Sequence, residues 1–410
     1  MKNNVRRLLQ SLLLLICSVA FSLIIGEAFV RLFGHYDVDG NFFVGTLRLK
    51  PYVLNVKNIS NEIQQYLASN DSYIMYNPSL GWSSRPESMS RNGLYCFNSD
   101  GLRTATVNTL VSKIPSTGTL RIAIFGDSFT FGDDVPFKNT WGYYLEDKLR
   151  KHGVNAEVLN FGMAGYGIDQ AFLRWQNKGR LYLPQIVILG LCTENKDRNT
   201  NLIRPFYRCQ RGMPFSKPRF VEEGGKLKLL NVPSLPPEKL LPVINKPVSW
   251  NLIKYEEWYN HDDYNKSVLY KSRLYSFVAR IIDKINDSIN IYRYKHKVNF
   301  ENNESVSLAL KIIQEFKKDA QSNKAKFYVV FLPGKNEIKA LSKSNNLFFV
   351  KLLDRLDLEA TVIRPEYKML QQANKFGIDT LFKGHYTSLG NGLVADSILE
   401  YLLKEEIDKK

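Results

Sequence analysis

The sequence predicts an α/β protein with a parallel sheet covered by helices on both faces. Two observations carry this. Short apolar runs alternate with segments of helical period, the order that builds parallel sheets. The polar exceptions fall just after those runs, at the sheet edge where open α/β folds place ligands and nucleophiles.

Taken in order, Arg121–Phe125 is an apolar run short enough for a buried strand. It breaks at Gly126, where a sharp turn leaves Ser128 at the sheet edge. Thr130 stands where a Gly-x-Ser-x-Gly elbow needs glycine, so this is a different turn. Trp141–His152 has helical spacing, with Trp141, Tyr144, Leu145 and Leu149 on one face. Glu157–Leu159 is a second strand, ending in Asn160-Phe-Gly-Met-Ala-Gly-Tyr-Gly167, and Asp169–Gly179 is helical. Gln185–Leu191 is a third strand, apolar enough for the middle of a parallel sheet. Val306–Ser322 is a helix, Lys326–Leu332 a fourth strand, Leu347–Leu356 a helix and Ala360–Ile363 a fifth strand. His385 precedes a closing helix from about Leu389 to Lys404.

The flanking segments set the organisation. Residues 1–7 are a basic tail and 8–30 a membrane-spanning signal anchor, because Leu8–Gly26 carries no charge and is about the length that crosses a bilayer. Positive charge ahead of the span predicts the amino terminus inside and the remainder outside. An anchor is expected rather than a signal cleaved after Ser18-Val-Ala20, since the apolar run continues to Ile25. Residues 31–118 are expected as an irregular leader module packed on the main domain, with Trp82 and Arg103 as packing and positioning residues. The main domain spans 119–410 and carries an insertion at about 204–302, rich in Pro, Lys and Tyr, which suits a lid or substrate wall. Tyr270–Ile289, within it, has helical character.

Composition narrows the classes. In 410 residues, 44% hydrophobic and 23% charged, the chain is globular rather than disordered. The net charge of +16 is dispersed, with no run of like charge and no nucleic-acid motif, so no nucleic-acid partner is expected. The four cysteines form no Cys-x-x-Cys pair, and no metal site is expected. In an exported chain, Cys192 and Cys209 are candidates for a disulfide.

Gly-Asp-Ser alone is an ordinary turn. It gains meaning from what reaches the same edge: Gly162, Gly165 and Gly167 after the second strand, Glu194 and Asn195 after the third, and His385 before the last helix. A hydroxyl, backbone donors, an amide and an imidazole are what acyl transfer needs. Serine becomes nucleophilic when a base takes its proton, and His385 is the candidate base. Ser128 N–H, Gly165 N–H and the Asn195 amide are candidate donors to an oxyanion. The remaining histidines read as surface residues, and Asp127 as a cap without chemistry.

Gly126-Asp-Ser128, Asn160-x-Gly-x-x-Gly165, Asn195 and His385 resemble, in order and rough spacing, the blocks of the SGNH/GDSL hydrolase family. More narrowly, the chain is similar to the membrane-anchored bacterial members. There a Leu-Gly-Trp … Asn-x-x-Gly-Leu-Arg leader precedes Gly-Asp-Ser-Phe-Thr-x-Gly, as in Leu80-Gly-Trp82, Asn98-Ser-Asp-Gly-Leu-Arg103 and Gly126–Gly132. The likeness continues in Glu194–Asn199, Lys217-Pro-Arg-Phe220 and Gly384–Asn391. It implies a flavodoxin-like three-layer α/β/α fold, with Ser128 as nucleophile, His385 as base, Gly165 and Asn195 in the oxyanion hole, and no cofactor. The implied activity is hydrolysis or transfer of O-acyl, above all O-acetyl, groups on an extracytoplasmic polysaccharide or glycan. Transfer would require a membrane partner carrying the acyl donor.

Two positions depart from the family. An Asp usually precedes the histidine by two or three residues, where this chain has Lys383 and Phe382. Three alternatives follow: a Ser-His dyad held by a backbone carbonyl, another carboxylate such as Asp379 as the orienting acid, or low activity. The third block usually reads Asn-Asp, where this chain has Glu194-Asn195. Asn195 is taken as the oxyanion donor, because a charged acceptor at that place would repel an oxyanion; the other register puts Glu194 there. The competing function is a catalytically weak or inactive SGNH-fold protein in carbohydrate binding or envelope polysaccharide assembly. A lipid-active esterase would need an apolar acyl groove.

Overall fold

The computed structural model of the chain describes residues 2–38, 40–69, 72–207, 213–264, 267–296, 304–342, 356 and 360–407. The chain divides into two compact units, Met1–Asn58 with Tyr259–Val298, and Ile59–Trp258 with Asn299–Lys410. The leader expected over 31–118 is therefore divided at Asn58, and the insertion expected at about 204–302 is divided at Trp258. The helix expected over Leu347–Leu356 lies outside the described residues except for Leu356, which is buried.

In the smaller unit the helix Lys2–Phe33 is long and apolar enough from Val5 to Phe33 to cross a membrane. A three-stranded antiparallel sheet follows it, Gly34–Tyr36, Phe42–Val44 and Leu47–Leu49. Val30, Phe42 and Leu49 are buried there, with Leu274 and Phe277 of the helix Arg273–His296 packed on them.

The larger unit is built on a seven-stranded sheet. Its strands, in chain order, are β1 (Cys96–Phe97), β2 (Arg103–Thr104), β3 (Leu120–Phe125), β4 (Ala156–Asn160), β5 (Ile186–Leu191), β6 (Lys326–Phe331) and β7 (Val362–Ile363). The spatial order is β7-β6-β5-β3-β4-β2-β1. The five strands β3 to β7 are parallel, while β2 joins β4 antiparallel at the single pair Arg103↔Asn160. The parallel set thus has the doubly wound flavodoxin-type order, which reverses direction between β3 and β5. Ser128 follows β3, at that switch point.

Alternate residues of β3 explain the three layers. Ile122 and Ile124 face one side with Trp141, Leu145 and Leu149 of α1 (Trp141–Lys151) and Val394, Ile398 and Leu402 of the closing helix Ser388–Leu402. Phe125 faces the other side, against Phe161, Trp175 and Phe316, the last two on helices Ile168–Asn177 and Glu304–Ser322. Each such fully buried large side chain contributes about 1.5–3 kcal/mol. Thr140 starts α1 by accepting from Tyr143 N, and Asn391 Oδ1 accepts from Trp141 N, which ties α1 to the closing helix.

The Lys-Pro-Arg-Phe stretch fastens the insertion to this core. Lys217 ion-pairs with Asp169, both fully buried, and Arg219 donates to the carbonyls of Thr200 and Tyr255 and to Glu304. Burial pushes the Asp169 carboxyl up and the Lys217 amine down, and their mutual attraction opposes both shifts.

Candidate active site

The turn after β3 admits only glycine at its start. Gly126 has φ +153°, and a Cβ there would lie 2.3 Å from Thr130 Oγ1 and 2.6 Å from Gly190 O. Asp127 then caps the four-residue helix Ser128–Phe131 by accepting from Phe129 N at 3.0 Å. The tight turn leaves Ser128 at the first helical position, its side chain on a cleft of about 700 Å³.

The closing hairpin brings His385 to that serine. Phe382–Lys383 pairs with His385–Tyr386 around Gly384, whose φ is +81°. Tyr386 OH donates to Pro333 O at 2.8 Å, and the Phe129 ring stands edge-on to the imidazole at 5.1 Å. His385 Nε2 lies 3.0 Å from Ser128 Oγ, and Nδ1 lies 2.8 Å from Asp134 Oδ2. An ionised carboxylate only accepts, so Nδ1 carries the proton and Nε2 is left to accept from the serine hydroxyl. The backbone N–H of His385 donates to the same Asp134 oxygen at 3.1 Å.

The acid beside the histidine therefore comes from the serine's own loop. Asp379, the expected orienting acid, instead ion-pairs with Lys335 and has an 82% exposed side chain, away from the imidazole. Asp134 adopts φ +69° and donates its N–H to Tyr95 OH at 3.1 Å. A Cβ on Gly384 would stand 2.7 Å from Asp134 Oδ2, so glycine is what lets the acid approach. Arg103, fully buried, holds the loop from below by donating to the carbonyls of Phe131, Gly132 and Val135. This gives the expected positioning residue a definite load. Asp133, next in the loop, places Oδ2 3.9 Å from His385 Nε2. Burial pushes its carboxyl up, with His385 and Arg103 pulling the other way.

The oxyanion residues are arranged differently from the expectation. Asn195 is buried beneath the Gly126–Ser128 turn. Its Nδ2 donates to Asp127 Oδ2 at 3.0 Å and Tyr166 O at 3.1 Å, while its Oδ1 accepts from Cys192 N at 2.8 Å. Both amide hydrogens are committed, so this side chain is not aimed at an acyl oxygen. Glu194, the other register, lines the cleft; it accepts from Arg198 Nη2 at 2.8 Å and Tyr207 OH at 2.6 Å. Arg198 also donates to Asp127 Oδ2 at 2.8 Å, which links the cleft wall to the cap of the serine helix. Gly165, at φ +77°, lies beside Arg204, whose Nη2 would be 3.4 Å from a Cβ there. Gly162 is a close-approach glycine, since its Cβ would meet Phe131 N at 2.5 Å.

Cys192 is a free, buried thiol donating to Asp127 Oδ2, and burial pushes its pKa well up; Cys209 lies outside the described residues. Among the described residues no cluster of His, Cys, Asp and Glu is arranged to hold a metal. The residues not anticipated are Asp134, Arg198 and Arg204. Asp133-Asp134 carried one usable signal, a pair of carboxylates just beyond Ser128 on a loop that cannot move far from it.

The arrangement can move a proton from a serine hydroxyl to an imidazole steadied by a carboxylate, which is how acyl-transfer sites activate serine. Solved structures with a similar fold include an acetyl xylan esterase, AlAXEase, at 14% identity over 69% of this chain and 99% of that chain, with a TM-score of 0.34. The psychrotrophic esterase EstA from Pseudoalteromonas sp. is 13% identical over 70% of this chain and 97% of its own, with a TM-score of 0.35. An Axe2 variant, an acetyl-xylooligosaccharide esterase from Geobacillus Stearmophilus, is 9% identical over 70% and 95%, with a TM-score of 0.36. No curated protein sequence matches. The family model described as GDSL-like Lipase/Acylhydrolase matches residues 122–398, from β3 to the closing helix, and the chain belongs to that family.

Proposed function

We propose that the protein is a serine-dependent ester hydrolase or acyltransferase acting on O-acyl, above all O-acetyl, groups of a polysaccharide or glycan outside the cytoplasmic membrane. The observation that carries this reading is the continuous relay from Ser128 Oγ through His385 to Asp134, at 3.0 and 2.8 Å. Ser128 Oγ attacks the acyl carbon as its proton passes to His385 Nε2. The tetrahedral intermediate then collapses, and the departing alkoxide takes that proton. Water or a sugar hydroxyl, deprotonated by Nε2, attacks the acyl-enzyme and frees the serine. Asp134 keeps the imidazole in the reactive tautomer and stabilises its charged form. Ser128 N–H and Gly165 N–H are the proposed oxyanion donors, with the Arg204 guanidinium supplying positive charge on the same wall in place of an amide.

The walls of the cleft favour a polyhydroxylated substrate. Glu194, Arg198, Arg204, Lys335, Asn336 and Glu337 line it, which suits sugar hydroxyls and a small acyl group better than a long acyl chain. The charge-free run Leu8–Gly26 of the helix Lys2–Phe33, with Arg6 and Arg7 just ahead of it, supports a single span with the larger unit outside. Transfer rather than hydrolysis would call for a membrane partner delivering the acyl group.

One observation favours a second reading, a binding protein without efficient turnover: Glu194 faces the cleft where the family usually places an amide. Labelling with a fluorophosphonate probe decides between the two. We expect the wild type to label strongly, Ser128→Ala not at all, and His385→Ala weakly. A folded wild type that fails to label overturns catalysis and leaves the binding reading.

A further inference from the structure

We propose that the helix Arg273–His296 is an interfacial membrane helix, its outer apolar stripe seated among the headgroups and upper acyl chains beside the end of the amino-terminal span. The inference rests on reading Lys2–Phe33 as that span.

The stripe is Tyr275, Val278, Ile282 and Ile285, exposed by 42, 47, 51 and 52%. The spacing i, i+3, i+7, i+10 is one helical face. It is not the face that serves the core of the smaller unit, since Leu274 and Phe277 already pack on Val30, Phe42 and Leu49. A second row of large apolar side chains beside a filled core has no folding reason to face water.

What says that lipid covers it is where the helix begins. Glu27 follows directly on the charge-free run Leu8–Gly26 and accepts from Ser272 Oγ at 2.8 Å, Arg273 N at 3.0 Å and Leu274 N at 2.8 Å. A carboxylate of the span thus caps the first turn of this helix. Arg31 Nη2 donates to Lys271 O at 2.9 Å, and the Leu274 side chain reaches within 3.0 Å of where a Gly26 Cβ would stand. These contacts fix residues 271–274 at the level where the span's uncharged stretch ends, which is the bilayer interface. The neighbouring composition fits that depth. Lys271 and Arg280 supply cations for lipid phosphates, and Tyr270 and Tyr275 are amphipathic rings of the kind enriched at that level. Asp283, the acid among them, is paired with Lys50.

The test uses the full chain in vesicles of phosphatidylcholine and phosphatidylglycerol. Cys17, Cys96 and Cys209 are changed to Ser, and an environment-sensitive fluorophore is placed on Val278→Cys, Ile282→Cys, Leu14→Cys or, as a control in an exposed hairpin, Lys226→Cys. Lipids brominated near the headgroup, lipids brominated near the chain end, and aqueous iodide serve as quenchers. We expect labels at 278 and 282 to shift to the blue and lose fluorescence to shallow bromines, and the label at 14 to lose it to deep bromines. A quenched label at 14 with iodide-accessible labels at 278 and 282 overturns the inference and leaves the span intact. No bromine quenching at 14 overturns the span reading and the inference with it. Labels at 278 and 282 shielded from both bromine and iodide mean that protein, not lipid, covers the stripe, which also overturns it.

Discussion

Asp134 sits six residues after Ser128, the proposed nucleophile, and on the same loop, so one short segment carries two of the three side chains of the proposed relay. Its carboxylate receives both the backbone and the ring N–H of His385, which fixes imidazole position and tautomer together. Asp134→Asn turns an acceptor into a group that can present an N–H to Nδ1, favouring the tautomer that cannot take the serine proton. Turnover of p-nitrophenyl acetate is expected to fall by about 10⁴-fold, with KM little changed. Asp379→Asn, which removes only an exposed partner of Lys335, is expected to leave turnover unchanged. Loss of activity in Asp379→Asn with full activity in Asp134→Asn would reverse the assignment.

The element that matters most is the loop from Phe131 to Val135. Phe131 and Val135 bury its two ends, and three of its carbonyls converge on the buried Arg103 guanidinium. That side chain also lies over the rings of Tyr95 and Phe131, at 4.7 and 4.4 Å. Because Arg103 is on β2, the antiparallel strand between β4 and the edge strand β1, that part of the sheet sets the height of the loop that carries Asp134. Arg103→Met keeps much of the volume but leaves those carbonyls without a donor, at about 1–3 kcal/mol for each that stays dry. We expect a lowered urea midpoint together with slower fluorophosphonate labelling, since Asp133 and Asp134 ride on the loop. Unchanged labelling in a destabilised variant would separate the clamp from the chemistry.

At the scale of the whole larger unit, pH acts on the fastening of the insertion as well as on the site. Burial, together with the nearby Glu304 charge, raises the Glu257 carboxyl from its ordinary 4.5 to about 7, while Arg219 opposes the shift. The folded protein therefore holds this proton more tightly than the unfolded chain. The contribution to stability is fully present below about 4.5 and is lost as pH rises through about 7. Glu257→Gln removes the repulsion, so its melting temperature is expected to exceed that of the wild type at pH 8 and to converge with it at pH 4. The side chain is 40% exposed, and solvent screening keeps the gain small. A variant no more stable at pH 8 would show that Arg219 alone neutralises both glutamates.

The sequence by itself determined the layered α/β fold, because strand and helix periods are local properties of apolar spacing, and β3 to β7 realise the five expected strands with ends moved by a residue or two. The strands β1 and β2 come instead from the leader, which was expected to be irregular. The sequence also determined that Ser128 lies at the carboxyl edge of the parallel strands, and that the turn before the closing helix can bring His385 back to that edge. The apolar helix at the amino terminus was equally legible, being a matter of length and charge. Only the tertiary structure decided the rest. Which carboxylate meets His385 depends on a left-handed residue at Asp134, a glycine at 384 and an arginine far back in the chain, and none of these is a spacing. Whether Asn195 or Glu194 faces the cleft turns on a single residue of register after β5. A helix start there rotates neighbouring side chains by about 100° each, so one goes under the serine and the other beside it.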